Sequence, residues 1–436
     1  MFTMAVAFFF EFGDINTFSF AAPAVMNTWG LSISTVSIIM SATFIGMFVG
    51  AVTGGFLADN IGRRRGLILT TVWYSGFSLL NIFVWNSFGL FLMRLLTGMG
   101  LSAMTVIAIT YISEMFPMAR RGAYQGWILT LGLLGIPVTG YVARLVVPLA
   151  SWGWRLVFAW GALGLLIPLF VRQLEESPRW YASRGRLQDA DEVLKRMEDQ
   201  VIAETGSLSP VPPVRQLEER AGRSAEMLQR PYLLRTLMLT SVWIFQTLGF
   251  YGFMSWVPLL LVVQGASLVT SLSWSSAMHL GAVPGAILGA LLSDRWQRKW
   301  WVCLVALAVA ACGLVYGITS RSLMYGVTSH RLTVSMISRT EVVVAFGFLT
   351  AMLIQTFAPL LYTYTAECYP TRMRSSGAGL AYGTGRLANV AGPLLIAYLF
   401  NHEGYGSVFV YIAACWVVVA LIVGLAGPRT RGLVLE

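Results

Sequence analysis

Two carboxylates, Glu11 and Asp14, stand three residues apart in FFFEFGDINTF (8–18), a run that otherwise avoids water. Spaced i, i+3, they share one helical face. An ionised acid at mid-bilayer depth costs about 2.5–3.5 kcal/mol on insertion scales, so such a residue faces a bundle interior and serves a pathway. Two acids this close titrate as a coupled unit. The chemistry they offer is loading and releasing a proton; the alternative is that either one is a plain acceptor for a structural hydrogen bond. Two cations also lie inside apolar runs: Arg94 in RLLTGMG and Arg386 in AYGTGRLANVAGP. At about 1.5 Å per residue, Asp14 is roughly 18 Å from the start of its run and Arg94 roughly 9 Å from the start of its own. If the two runs cross a core of about 30 Å in opposite directions, those depths nearly coincide. An Asp14–Arg94 pair then favours ionised Asp14, and protonation releases it, which makes a switch. Arg386 has no acid close in sequence. A guanidinium near the midplane invites a carboxylate ligand, held bidentately; it could equally pair with Glu11, Asp14 or backbone carbonyls.

The elements that position these residues follow from composition. The chain has 436 residues, 56% hydrophobic and 11% charged, with a mean hydropathy of +0.69; a soluble domain carries about 25% charge. Twelve apolar runs are each long enough to span a membrane: 2–26, 33–57, 66–86, 89–113, 122–147, 154–172, 236–262, 272–293, 300–318, 341–366, 376–400 and 407–427. They do not alternate in the manner of barrel strands, so an all-α membrane protein with 12 transmembrane helices is expected. With the N-terminus inside, 23 of the 30 Lys and Arg residues fall on the cytoplasmic side, as the positive-inside rule demands. The net charge of +10 is then a topogenic signal, with no nucleic-acid partner implied. The expected location is the inner or plasma membrane, multi-pass, with both termini cytoplasmic. The first run starts almost at Met1, is acid-containing and lacks a basic region before it, so a cleavable signal peptide is not expected, though a short leader ahead of this start fits. The four cysteines read as small buried hydrophobes without disulfides.

Residues 173–235 break the pattern: they are polar, basic and contain PVPP at 210–213. Within them RLQDADEVLKRME (186–198) has the period of a short amphipathic helix. Six runs lie on either side. The expected organisation is an N-terminal six-helix bundle (1–172), a cytoplasmic linker (173–235), a C-terminal six-helix bundle (236–428) and a tail (429–436). Internal echoes support two pseudo-symmetric bundles. GGFLADNIGRRR (54–65) is echoed by GALLSDRWQRK (289–299), and ISEMFPMARRG (112–122) by AECYPTRMRSSG (366–377). Duplicated halves with a site between them are a secondary-transporter plan.

These same motifs resemble the major facilitator superfamily over essentially the whole chain. GGFLADNIGRRR is similar to that superfamily's loop signature after helix 2, and RLLTGMG to its helix-4 signature. ESPRWYASRGR (176–186) and PRTRGLVLE (428–436) resemble sugar-porter sequences. YGFMSWVPLLL (251–261) and YTYTAECYPTRMRSSGAG (362–379) resemble the niacin, aromatic-acid and organic-ion branch. The resemblance implies an acid at Asp14 and a cation at Arg94 for proton coupling, and a basic residue in helix 11 at Arg386. It also implies an inner gate of two charge sets: Asp59, Arg63, Glu114 and Arg121, then Asp294, Arg295, Glu367 and Arg374. Topogenic charge alone is the plainer account of such residues. Two departures stand out. Gln297 replaces Gly62 in the second loop copy, and 319–340 is a longer polar outer loop than these families carry. Glycines 132, 135 and 140 with Pro137 allow close packing or bending in helix 5.

Gln246, Tyr251, Trp256, His279, Tyr362, Tyr382 and Asn389 are the aromatic and polar groups at depth that could complete a binding pocket with Arg386; each could instead serve packing or interhelical hydrogen bonding. His279 is open to two readings, proton relay and hydrogen-bonded structural residue. There is no metal-ligand spacing, no phosphate-cradling loop and no nucleophile constellation, so neither an enzyme nor a cofactor beyond a proton gradient is expected. The expectation is a monomeric proton symporter of a small organic acid, aromatic or heterocyclic in kind by its branch resemblance. A sugar or polyol symporter is the alternative, followed by an exporter, a uniporter or a non-transporting sensor.

Overall fold

The computed structural model describes residues 1–116, 121–207, 229–230, 232–292, 297–328, 335–369 and 373–430. Every regular element among them is helical. In the first half α1 (Phe2–Trp29), α2 (Ile33–Ile61), α3 (Arg63–Leu80) and α4 (Ser87–Met115) each span in one piece. The fifth span is broken into α5 (Arg121–Gly132) and α6 (Gly135–Val146), and the sixth into α7 (Trp154–Ala162) and α8 (Ile167–Val171). Two short helices follow outside the spans, α9 (Pro178–Ser183) and α10 (Leu187–Thr205). The second half repeats the plan: α11 (Leu233–Met254) with α12 (Val257–Val263), α13 (Leu268–His279) with α14 (Ala282–Leu292), then α15 (Arg298–Thr328), α16 (Ser335–Glu367), α17 (Arg374–Glu403) and α18 (Tyr405–Ala426). The breaks fall where the chemistry demands them. Pro137, Pro168, Pro258 and Pro284 each lack an N–H for the helical ladder and sit at or just after a break.

The result is twelve spans in two pseudo-symmetric six-helix bundles. Ten of the spans are apolar enough to be recognised by hydropathy alone. The two outside that set, α1 and α17, are the helices that carry Glu11, Asp14, Arg386 and Asn389. Their polarity is what the site spends. The amphipathic helix expected over 186–198 runs further, to Thr205, because the first residue able to stop it is Gly206 at φ 81°. The long outer loop expected over 319–340 is corrected: α15 continues to Thr328 and α16 starts at Ser335. A helix satisfies its own backbone, so it can run on past the apolar stretch with polar side chains in water.

Contacts between the bundles obey the same duplication. Span 2 lies against span 11 (α2 with α17), and span 5 against span 8 (α6 with α13). The apolar core is uneven between the two faces. The half of the N-terminal bundle next to the basic loops has its own core, built on Met4, Phe8, Leu101, Met104 and Ile107. The far half, with Phe20, Val25, Ile39 and Trp154, is continuous with the core of the C-terminal bundle. The bundles are thus joined on the far side and part towards the basic face.

On the basic face, Glu176 ties the linker to the bundle. Its carboxylate accepts the backbone N–H groups of Arg63 at 2.8 Å, Arg64 at 3.0 Å and Ser177 at 3.0 Å, satisfying donors that the start of α3 leaves open. Gly62 makes this possible: it sits at φ 99°, and a Cβ there would stand 2.4 Å from Glu176 Oε2. Glu176→Ala should lower stability by about 1–3 kcal/mol, read as thermal unfolding of the purified protein in detergent, with a smaller loss for Glu176→Gln.

Candidate functional site

Asp14 and Arg94 meet inside the N-terminal bundle, with both side chains at 0% exposure. Arg94 Nη2 is 3.3 Å from Asp14 Oδ1, and Nη1 donates to Thr17 Oγ1 at 3.0 Å. Ser78 of α3 donates to Asp14 Oδ1 at 3.0 Å, and Phe158 of α7 lies under the guanidinium, 5.1 Å from its ring centroid. The helices close tightly on the acid. A Cβ at Gly161 would stand 2.9 Å from Asp14 Cγ, so α7 can approach only with glycine there. Asp14 Oδ2 and Arg94 Nε have no hydrogen-bond partner.

Glu11, on the same face of α1, takes a different partner. Thr105 of α4 donates to its Oε1 at 2.7 Å, and its Oε2 is buried without one. The two acids therefore do not share a hydrogen. They stand one turn apart in the same wall, each tied to α4. Glu11 lies within Coulombic reach of Arg386 across the boundary between bundles.

Arg386 faces the space between the bundles. Its Nε donates to Tyr382 Oη at 2.9 Å, its Nη2 hydrogen-bonds the same hydroxyl, and its Nη1 points at Met47 Sδ of α2 at 3.7 Å. Tyr382, Tyr362 and Trp243 form a mutually packed set of rings, with Trp243 at 4.9 Å from Tyr362 and 5.2 Å from Tyr382. Tyr362 is 51% exposed, the exposure of a side chain on an open cleft. One turn along α17 from Arg386, both ends of the Asn389 amide are buried and unpartnered. Gln246 is buried nearby and accepts from Thr247 at 3.2 Å. Tyr251 packs edge-on against Phe44 of the other bundle at 4.8 Å.

Trp256, 1% exposed at the α11–α12 break, lines a cavity between the bundles with Phe44, Tyr251 and Asn389. One expected pocket residue, His279, is elsewhere. His279 holds two breaks together: its Nε2 is 3.0 Å from the Met254 carbonyl and its Nδ1 2.5 Å from that of Ser275. The Met254 carbonyl is the one that Pro258 cannot serve. His279 also packs on Phe20 at 5.6 Å, so it belongs to the seam that closes the far side. In that seam Asn401 donates to Ser34 at 3.1 Å, and a Cβ at Gly140 would meet Ser276 Oγ at 2.3 Å.

The charged set on the basic face is built twice. Arg63 grips Glu114 with two hydrogen bonds, 3.1 and 3.0 Å, and reaches Asp59 at 3.0 Å. In the second half Arg298 pairs with Glu367. Laid on one another, the repeated loops put Arg298 where Arg63 stands and Glu367 where Glu114 stands, so Arg298 is the cation that the expected set omitted. Both pairs lie within one bundle, so the described contacts do not latch the halves together. Arg121 opens α5 with its Nε unpartnered. Asp294, Arg295 and the side chain of Arg374 lie outside the described residues.

Trp243, Phe44, Ser78, Thr17 and Thr105 were not expected. Trp243 had a signal, since it shares a face with Gln246 and Tyr251 at helical spacing. Ser78 had a weaker one, as a hydroxyl at i, i+4 from Tyr74 in an apolar span. Leaving one partner of a buried pair alone costs about 3–5 kcal/mol. Arg94→Leu should therefore destabilise by that order in thermal unfolding, and Asp14→Asn added to Arg94→Leu should restore most of the loss.

With this geometry in hand, comparison with known proteins is direct. The model of the sugar (and other) transporter family matches residues 1–436. YyaJ of Bacillus subtilis (strain 168) is 41% identical over 431 residues, covering 98% of this chain and 91% of that protein. The niacin transporter NiaP of Acinetobacter baylyi is 29% identical over 438 residues, covering 100% of this chain and 95% of its own length. Among solved structures, a partially occluded inward open conformation of the xylose transporter XylE from E. coli superposes with a TM-score of 0.77 at 17% identity, covering 100% of this chain and 99% of that one. That likeness is one of fold. The chain is a multi-pass membrane transporter, not an enzyme, and it belongs to the sugar (and other) transporter family of the major facilitator superfamily.

Proposed function

We propose that the protein is a proton-coupled symporter of a small aromatic or heterocyclic carboxylate, working as a monomer by alternating access between bundles 1–172 and 236–428. One contrast carries the reading. Asp14 is sealed against Arg94 inside one bundle, whereas Arg386, in an aromatic-walled cleft, hydrogen-bonds Tyr382 and points at Met47, with Glu11 only at Coulombic range. Asp14 is then the proton carrier: protonation weakens its hold on Arg94 and frees the helices that the pair joins. Arg386 takes the substrate carboxylate, Tyr362, Tyr382 and Trp243 offer ring faces, and Gln246 and Asn389 bond ring heteroatoms. Niacin, which the relative's name gives as its cargo, combines such a ring with such an acid.

The basic face is assigned to the cytoplasm by the positive-inside rule. Parting of the bundles towards that face makes this an inward-facing arrangement. Asp59, Arg63, Glu114 and Arg121, with Glu367 and the residues Asp294, Arg295 and Arg374, form the gate that closes when the cleft turns outward. Exposed pairs are weak singly and breakable, which suits a latch.

A second reading, symport of a sugar or polyol, draws on the bare amide of Asn389 beside Gln246, which would suit hydroxyl groups. Proteoliposomes with an inward proton gradient separate the two. Nicotinate or benzoate should accumulate, a protonophore should abolish accumulation, and Arg386→Ala should lower uptake by about tenfold or more. Preferential uptake of xylose that survives Arg386→Ala would establish the second reading instead. Asp14→Asn should lose uphill accumulation while keeping substrate exchange; undiminished uphill uptake removes Asp14 as the carrier.

A further inference from the structure

The Ser78 hydroxyl of α3 is buried between two acceptors on two other helices. Its oxygen stands 3.0 Å from Asp14 Oδ1 on α1 and 3.3 Å from the Phe158 carbonyl oxygen on α7. A serine has one hydrogen to donate, so it serves one of them fully at a time. Phe158 is also the residue whose ring centroid lies 5.1 Å from the Arg94 guanidinium. Ser78 thus chooses between the acid of the buried pair and the neighbour of its cation. Gly161 keeps the choice open, because a Cβ there would stand 3.0 Å from Ser78 Oγ and 3.0 Å from Asp14 Oδ1.

The donors around Asp14 are unevenly shared. Oδ1 takes Ser78 at 3.0 Å, Thr17 at 3.1 Å and Arg94 Nη2 at 3.3 Å, while Oδ2 is buried without a partner. The oxygen with three donors is the weaker base, so an incoming proton belongs on Oδ2. Thr17 is seated on its own helix: its hydroxyl donates to the Asp14 carbonyl at 2.7 Å and accepts from Arg94 Nη1 at 3.0 Å. Ser78 bonds only across to other helices. On the helices that touch Asp14, the charged and titratable groups facing it are Glu11 on α1, Tyr74 on α3 and Arg94 on α4; α7 presents Phe158 and Gly161.

We propose that Ser78 is a positioning residue that turns protonation of Asp14 at Oδ2 into a change of contact between helices, an inference that rests on the proton-coupled reading above. While Asp14 is ionised, the Ser78 hydrogen lies on Oδ1, because a hydrogen bond to a charged acceptor is roughly twice as strong as a neutral one. When a proton from solvent adds to Oδ2, one O–H bond forms there and Oδ1 becomes the carbonyl oxygen of a neutral acid. An amide carbonyl is the better acceptor of the two, so the Ser78 hydrogen turns to Phe158. The serine keeps its own O–H bond throughout. The tie from α3 then passes from α1 to α7, and α1 is held by one bond fewer. Loss of the proton reverses each step.

The test needs no substrate, because the probe is the proton. The full-length protein in proteoliposomes is titrated with pH, and infrared difference spectroscopy follows the carboxylic C=O band that Asp14→Asn removes. Ser78→Ala takes a donor from the ionised acid, so the midpoint of that band should move to higher pH by about one unit, a tenfold gain in proton affinity. The frequency of the band in the protonated state should keep its wild-type value, because the hydroxyl has already left. Ser78→Thr should keep the wild-type midpoint. Ser78→Cys, with a weaker donor of similar shape, should move the midpoint the same way by less, and it carries the test if Ser78→Ala does not fold. An unmoved midpoint in these donor-weakened variants overturns the proposal, since the hydroxyl is then only structural. A band that rises in frequency in either of them also overturns it, because Ser78 would still be bonded to the protonated acid. If Asp14→Asn removes no pH-dependent band, the proton-coupled reading itself fails and takes this inference with it, a result distinct from the other two.

Discussion

A charge buried in an apolar medium must be answered by a counter-charge and by hydrogen bonds, or the helices that carry it will not stay inside. Asp14 and Arg94 are this protein's answer. The pair draws four helices together: α1 and α4 supply the charges, α3 supplies the Ser78 hydroxyl, and α7 closes with Phe158 and Gly161. Because each charge needs the other, a change at one is felt by every helix that touches the pair. A group that can lose its charge by taking a proton is then a mechanical element as well as a chemical one.

Duplication governs the rest of the architecture. The same loop, placed after the second span of each half, supplies an arginine to a glutamate at the end of the fourth, as Arg63 to Glu114 and Arg298 to Glu367. In the first half the arrangement is reinforced by Glu176, which caps α3, and by Trp180 and Arg184, which bond the Asp59 carbonyl. These contacts make each bundle a body in itself on the basic face. On the far face, by contrast, one apolar core runs through both bundles. The cleft opens where cohesion is internal to each bundle and closes where it is shared.

Inside the cleft the aromatic set and Arg386 stand at the seam. Arg386 is hydrogen-bonded by a phenol rather than by a carboxylate, with Glu11 only at Coulombic range. Tyr362 and Tyr382 keep it from the apolar wall, and Asn389 holds both amide ends ready a turn away. Polar groups left without partners in this way cost stability, and Glu11, Asp14 and Asn389 lie in the two helices, α1 and α17, that hydropathy alone does not recognise as spans.

Much of this was legible in the linear chain. Twelve apolar runs, the two echoed loops and the basic bias led to two six-helix bundles, because span length and the need to satisfy the backbone in lipid leave few alternatives. The Asp14–Arg94 contact could be anticipated from depth, since both residues sit at a position countable in helical rise. The partners of Glu11 could not, because which of several neighbours a side chain reaches depends on the rotation and tilt of helices it does not share. The same limit hid Trp243 and Arg298, and it put His279 in a pocket that it does not line. Residue type and spacing by themselves determined how many helices there are, which way each face is oriented along its own axis and which residues are too polar for their depth. Which of those polar residues touch was decided only when twelve helices packed at particular crossings, because tertiary contact is a property of the angle and distance between helices and a sequence records neither.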